Sequence, residues 1–320
     1  MQQPLFTIAF YNTENLFDTN DDEETLDRNF TPNGNRKWTK KRYENKIGKL
    51  SMAISKIGVE ETSYPPSIIG LAEVENAKVV QDLINKEYLG RENYDFVHYD
   101  SWDERGIDVA LIYNTKVFNV EHSEPLRPPM IYNGDGRDMT RDVLYVRGKL
   151  NDSLMHIFVV HMPSRREENV NSPKRQAIAE HLNQKIRNIQ ENESNPHIIV
   201  LGDFNADPTA PSLKKYLNGD SRKPLADEKG FHNPMELLEN DGHFTTKHRK
   251  DSLLYDQILF SAAFFVNHAR PSVVTTHVFN PYFLQEWDQK YKHSPFRTFV
   301  GSKYLGGYSD HFPIYSILKF

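Results

Sequence analysis

Carboxylate, amide and imidazole side chains gather at the ends of apolar runs in five places along the chain. Asn12 follows the run from Phe6 to Tyr11, in Tyr11-Asn12-Thr13-Glu14-Asn15, and Glu73 closes the apolar stretch from Ser67 to Ala72. Asp203 and Asn205 end the run from His197 to Gly202, in Gly202-Asp203-Phe204-Asn205. Asp256 stands in Tyr255-Asp256-Gln257-Ile258-Leu259, and Asp310 and His311 in Tyr308-Ser309-Asp310-His311-Phe312-Pro313, just before the run from Ile314 to Leu318. A carboxylate abutting a buried strand is costly unless it is paired or holds a cation. Taken singly, such residues are ordinary strand caps and turn formers. Taken together, oxygen and imidazole donors without a thiol make a hard-ligand set suited to Mg²⁺, Mn²⁺ or Ca²⁺.

Composition narrows the classes. The chain has 320 residues, no cysteine, 44 acidic and 39 basic side chains and a formal net charge of −5. Absence of cysteine excludes disulfide frameworks, zinc–thiolate sites, iron–sulfur clusters and thiol nucleophiles. The acidic balance argues against binding nucleic acid by bulk positive charge but permits a local basic groove. No apolar run approaches the roughly 18–20 residues of a membrane span, and Met1 to Thr7 lacks the pattern of a secretory signal. A soluble protein is expected, cytoplasmic in preference, secreted or periplasmic where a leader has been removed.

Periodicity supplies the elements that must position the set. Tyr43, Ile47, Leu50, Ile54 and Ile57 recur at helical spacing, and Val79, Val80, Leu83 and Ile84 suggest a second helix. Ser172-Pro173 reads as the start of a third, with Ile178, Leu182, Ile186 and Ile189 as its buried stripe and Asn195-Pro196 as its end. Strands are expected at 107–113, 144–150, 154–160 and 253–260 as well, with a hairpin across Asn151-Asp152-Ser153. Strands outnumber helices and often follow one another directly. That pattern predicts an α+β fold of two packed sheets with helices outside. No Pro/Gly/Ser-rich linker interrupts it, so residues 1–320 are expected to form a single domain. Two stretches read as surface excursions: the polar segment from Asp18 to Lys37, expected to be solvated, and the aromatic segment from Thr276 to Tyr308.

The ordered set, above all Gly202-Asp203-Phe204-Asn205 and Ser309-Asp310-His311, resembles the endonuclease/exonuclease/phosphatase superfamily, and bacterial-type members in particular. The likeness spans nearly the whole chain. It implies the four-layered α/β/β/α sandwich of the DNase-I-like fold and metal-dependent hydrolysis of phosphoester bonds. By the resemblance, Glu73 is the main metal carboxylate, with Asn12 and Asp310 beside it and Mg²⁺ (or Mn²⁺ or Ca²⁺) as the ion. His311, oriented by Asp256, would bond a phosphate oxygen or take a proton from water. Asp203 would position or activate that water, and Asn205 would donate to the phosphate or orient Asp203. His161 stands where the family places a second histidine, with Asp108 as a candidate buttress. Arg105 and Arg165 are candidate phosphate forks.

Substrate is the least legible property, because fold does not decide it. Nucleic acid leads, with backbone contacts expected from Lys37, Lys40, Lys41, Arg42, Arg165 and Arg166; the Lys40 cluster reads first as the polar start of an amphipathic helix. A phosphatase or phospholipase C-type activity on an inositol phosphate, sphingomyelin or small phosphoester is second. A catalytically inactive binding scaffold is third. The aromatic segment is interrupted by Lys290, Lys292, Arg297 and Lys303, so a loop shaping the site is expected in place of a membrane anchor. The protein is expected to be a monomer without stable membrane association.

Overall fold

Alternation along each strand decides which side chains meet. In the computed structural model, which describes residues 3–128, 131–133, 136–138, 140–165, 168–266, 268–288 and 291–320, the chain forms two large sheets. Arg166 and Lys290 lie outside the described residues. The principal strands are β1 (Leu5–Leu16), β2 (Ile68–Val74), β3 (Tyr94–His98), β4 (Asp108–Asn114), β5 (Phe118–Leu126), β6 (Val143–Leu150), β7 (Ser153–His161), β8 (His197–Asp203), β9 (Asp256–Ser261), β10 (Ser272–Val278) and β11 (Ile314–Lys319). One sheet runs β10-β11-β1-β2-β4-β3. The other runs from two short strands, Gly219–Asp220 and Phe231–His232, through β9-β8-β7-β6-β5. Among the principal strands of each, one parallel pair (β1 with β2, β7 with β8) lies between antiparallel neighbours, and the two short edge strands of the second sheet are parallel to each other.

β8 shows the two-faced patterning. Ile199 and Leu201 join the core between the sheets, whereas Ile198 and Val200 join a second core with Ile178, Leu182 and Ile186 of helix α3 (Glu168–Asn192). Both faces of the strand are thus apolar, as for a fully covered strand. Helices α1 (Lys40–Ile54) and α2 (Ala77–Ile84) bury Ile47, Leu50, Val79 and Leu83 against the first sheet. The layers are helix, sheet, sheet, helix, the expected sandwich. Gly70 in β2 lets the sheets approach closely: a Cβ there would overlap the Leu201 side chain.

Several boundaries differ from the expectation. Helix α3 begins four residues before Ser172, with Pro173 inside it as its sixth residue, past the first four N–H groups that go unpaired in any helix, so the proline interrupts one backbone bond and does not mark the start. The run 253–260 is two pieces, Asp251–Leu253 and β9, separated by Leu254 and Tyr255. Edge strand β5 escaped the periodicity because its outer positions are polar and Pro125 sits within it. The Lys40 cluster does open α1.

The acidic excursion is anchored as well as solvated. Trp38 is buried and its indole N–H donates to the Phe17 carbonyl at 2.9 Å, while Asp27 is buried and the Asp18 N–H donates to Glu75 Oε2 at 2.5 Å. Burial, then the neighbouring Asp18, Asp27 and Asp22 carboxylates, push Glu75 up to about 8, against an opposing bond from the Asp18 N–H. A carboxyl with a raised native pKa favours folding while protonated, so its contribution is full at low pH and is lost as pH rises through about 8. Glu75→Gln is therefore expected to match the parent near about pH 5 and exceed it by about 2 kcal/mol near about pH 9 in urea unfolding. A difference equal at both pH values would show that the amide acts by packing.

Candidate active site

Register places three of the expected residues side by side. Asp203 at the end of β8 pairs with His161 of β7 on one flank and with Asp256 of β9 on the other. Residues in register on adjacent strands share a face and stand about 4.8 Å apart. Because Leu201, Val159 and Ile258 face the inter-sheet core, so do their i±2 neighbours Asp203, His161 and Asp256. The row lies at the rim of the sandwich, where β1, at its register shift after Asn12, and the end of β2 bring Asn12 and Glu73. The approach to β11 adds His311, bridged to Thr246. Ser309 fastens that approach, its hydroxyl donating to the Asn12 carbonyl at 2.6 Å and accepting from the His311 N–H at 3.1 Å.

His311 Nδ1 lies 2.7 Å from Asp256 Oδ2, and its Nε2 points to Asp203 Oδ2 at 3.9 Å and Asp310 Oδ1 at 4.0 Å. Burial alone would push this imidazole down, but the facing Asp256, Asp203 and Asp310 carboxylates outweigh it and hold His311 well above the usual range. Asp203 is buried and pushed up to about 7 by desolvation and then by Asp256, with His311 and bonds from Asn205 and Asn12 opposing. Asn12 Nδ2 donates to Asp203 Oδ2 at 3.0 Å, and the Asn205 N–H donates to Asp203 Oδ1 at 2.8 Å. The amide of Asn205 is spent on the Met162 carbonyl at 3.0 Å, so of its two expected roles the geometry fits orientation of Asp203.

Glu73 sits at a bulge in β2 with φ of 62°, a left-handed conformation that a residue with a Cβ adopts at a cost. Its Oε2 accepts the Asn15 N–H at 2.8 Å. Its Oε1 faces Arg105 Nη2 at 3.9 Å and His161 Nε2 at 3.8 Å, and His161 Nε2 is also 3.8 Å from Asp203 Oδ2. Arg105 is held by Asn15 Oδ1 at 2.7 Å. Burial, then the Arg141, Arg105 and His311 cations, push His161 well below the usual range, so it is a neutral imidazole. These separations exceed hydrogen-bond length and match groups that meet through a shared ion or phosphate oxygen.

The expected divalent ion fits these residues by donor chemistry. Glu73 Oε1 and Asp310 Oδ1 are oxygen donors without a hydrogen bond in the described set, while Asp310 Oδ2 is held by Arg297 at 3.1 Å. Asn12 Oδ1 accepts the Glu14 N–H at 3.0 Å and retains a lone pair. Asp203, Asp256 and His311 also offer ligand atoms within 4.8 Å of one another. The short His311–Asp256 bond marks that group as a carboxylate-oriented imidazole more than a cation cage.

One expected placement is corrected. Asp108 does not buttress His161: it accepts the Ser101 N–H at 3.1 Å and faces His98 Nε2 at 3.5 Å, because the turn before β4 folds back on β3. Arg165 donates to Asp207 at 3.0 Å and to the hydroxyl of Tyr255, the neighbour of Asp256, at 3.1 Å.

A buried ion pair behind the site had no assigned role in the sequence. Lys46 Nζ bonds the Tyr308 carbonyl at 2.5 Å and Thr298 Oγ1 at 2.6 Å, and lies 3.9 Å from Glu14, which accepts the Thr298 N–H at 2.5 Å. Lysine on the apolar stripe of α1, between Tyr43 and Leu50, was the available signal, since a buried lysine demands a partner. The pair clamps the segment carrying Arg297, Asp310 and His311 onto β1. Lys46→Met leaves Glu14 buried without its cation and is expected to cost about 3–5 kcal/mol in chemical unfolding; a loss under 1 kcal/mol would show that Glu14 goes neutral at no cost.

Phosphoester hydrolysis requires a cation for the charge on the phosphoryl oxygens and a proton carrier for the attacking water. This rim assembles donors for both, and the protein is a phosphoester hydrolase of DNase-I-like fold. The chain belongs to the Endonuclease/Exonuclease/phosphatase family, whose model matches residues 7–319. Enzymes of this family use divalent metals. No curated protein sequence matches the chain. Among solved structures it is similar to humanized TDP2 of D. rerio (15% identity, 99% of each chain covered, TM-score 0.58). It is similar as well to a mannosyl-6-phosphatase of Bacteroides thetaiotaomicron (18% identity, 98% of this chain and 100% of that chain, TM-score 0.58). D. rerio TDP2 complexed with single strand DNA product matches over 99% of each chain at 15% identity and a TM-score of 0.56. At these identities the likeness carries the fold. No helix among the described residues is long and apolar enough to cross a membrane.

Proposed function

We propose that this protein is a Mg²⁺-dependent phosphodiesterase acting on nucleic acid. The observation that carries the reading is the convergence of His311, held at 2.7 Å by Asp256, on a buried Asp203 whose pKa lies near neutrality. Glu73, Asp310 and Asn12 would hold the ion, which polarises the phosphoryl oxygen when bound. Asp203, raised to about 7, is a stronger base than an ordinary carboxylate and accepts the proton of the attacking water, steadied by Asn12 and the Asn205 N–H. His311 is cationic and bonds a non-bridging oxygen through Nε2. Neutral His161 offers a bond through its own Nε2, and Arg105 adds charge beside it.

A cleft of about 120 Å³ beside Asp310 supports a polymeric substrate. Lys247, Arg249 and Arg297 line it with Tyr291. Tyr282 and Trp287 stand exposed on the same excursion. Cations for the backbone and aromatic faces for bases are what single strands require; among the likenesses, the TDP2 complex holds single strand DNA product.

The second reading is a small-phosphoester phosphatase. It is favoured by the pairing of Arg297 and Arg165 with carboxylates, which reduces the charge free for a polyanion, and by the likeness to a mannosyl-6-phosphatase. The test is a panel of single-stranded DNA, plasmid, RNA, bis-p-nitrophenyl phosphate and sugar and inositol phosphates, each with Mg²⁺ and with chelator. Chelator-sensitive cleavage of strands supports the first reading. Release of phosphate from monoesters alone moves the assignment to the second, and chelator-resistant cleavage overturns the mechanism.

A further inference from the structure

Outside the catalytic row, His98 at the end of β3, Asp100 two residues on and Asp108 at the start of β4 each offer one ligand atom within 4.8 Å of the other two. Nothing in the mechanism above uses them. The side chain of His98 is 2% exposed, and its Nε2 makes no hydrogen bond although Asp108 Oδ2 lies 3.5 Å away. A simple N–H···O bond would close to about 2.9 Å. Two donors on one tetrahedral ion, each about 2.0–2.1 Å from it, stand about 3.4 Å apart, and the observed spacing matches that.

The opposite wall adds a second buried group without a hydrogen bond. Asp142, just before β6, lines one small cleft with Asp108 and Tyr99, and its buried Oδ2 makes no hydrogen bond. Its nearest cation is Arg127 at 3.6 Å, itself laid over the Trp102 ring. Asp108 Oδ1 is engaged by the Ser101 N–H at 3.1 Å, which fixes the carboxylate and leaves Oδ2 toward His98.

We propose that His98, Asp100 and Asp108 form a second divalent-cation site, separate from the catalytic centre, with Asp142 as an outer carboxylate. One imidazole nitrogen with carboxylates selects a nitrogen-accepting first-row ion, Zn²⁺ before Mg²⁺ or Ca²⁺. The ion ties the turn after β3 to β4. That same turn carries Asp103, paired with Arg141 at 3.1 Å, and Arg105, which reaches Asn15 and Glu73. Filling the site therefore steadies one wall of the catalytic cleft without touching substrate.

The full chain is dialysed against micromolar Zn²⁺ and the bound metal counted, in parallel with His98→Gln, Asp100→Ala and Glu73→Gln. The difference between variants isolates this site from the catalytic one. His98→Gln is expected to retain one equivalent fewer than the parent, and Asp100→Ala to bind that equivalent at least tenfold more weakly. Glu73→Gln is expected to keep it. The Asp100 side chain is 85% exposed, so its variant folds even where a His98 variant fails to. Equal zinc in the parent and in folded His98→Gln overturns the assignment, as does unchanged affinity in Asp100→Ala or a parent that retains no zinc.

Discussion

Asp256→Asn is expected to lower turnover about 10²- to 10⁴-fold while leaving the fold in place. The substitution is isosteric. An asparagine oxygen can accept from His311 Nδ1, and its amide then occupies the position of Asp256 Oδ1, which has no hydrogen-bond partner now. What disappears is the charge. Burial opposes the His311 imidazolium, and Asp256 is the leading group that outweighs it; without that carboxylate the ring becomes neutral at lower pH. Asp256 also follows desolvation as a cause of the raised Asp203, so the base loses its proton earlier as well. The acid limb of the rate profile, set by Asp203 near about 7, and the alkaline limb, set by loss of the His311 proton, should both move to lower pH. A structural residue would move neither. Loss of stability comparable to a core cavity, about 2–5 kcal/mol, with an unshifted profile would make Asp256 part of the core instead.

The candidate row was legible because its logic is local. Apolar runs of strand length ended in carboxylate or imidazole, and strands of period two in register turn such endings to one face. What sequence could not supply was which endings meet. Asp108 stands at a strand terminus as Asp203 does, but it opens β4 where Asp203 closes β8, and the turn from β3 sends it to His98. Asn12 reads as a metal donor by resemblance, and its amide nitrogen is found on Asp203. Glu14 and Lys46 lie 3.9 Å apart in the structure but belong to different elements, so their pairing depends on how α1 crosses the end of β1. Backbone strain was also invisible. Glu14, Asn15, Glu73 and Asn205 all take positive φ, and all four border the site. Such conformations persist where surrounding contacts over-determine them, here the bonds from Asn15 to Glu73 and from Asn205 to Asp203.

That strained geometry makes Glu73→Gln the sharpest test of the cation. The Asn15 N–H needs an acceptor, so the glutamine carbonyl must take the position of Oε2. Its NH₂ is then forced to the position of Oε1, the oxygen that faces His161 and Arg105. A donor there repels a divalent ion where a carboxylate attracted it. Backbone and hydrogen bonds to β1 are preserved, so the thermal midpoint should hardly change. Mg²⁺-dependent cleavage of a phosphodiester should fall about 10³-fold or more, about 4 kcal/mol of transition-state stabilisation. Raising Mg²⁺ should recover part of it, because Asp310 and Asn12 persist as weaker donors. Glu73→Asp separates charge from reach: one carbon shorter, it cannot hold the Asn15 N–H and the ion together, so it should fall well below the parent despite its charge. Full activity in Glu73→Gln at unchanged half-saturating Mg²⁺ would mean that the ion binds elsewhere on the rim and that Glu73 serves only to hold Asn15 and, through it, Arg105.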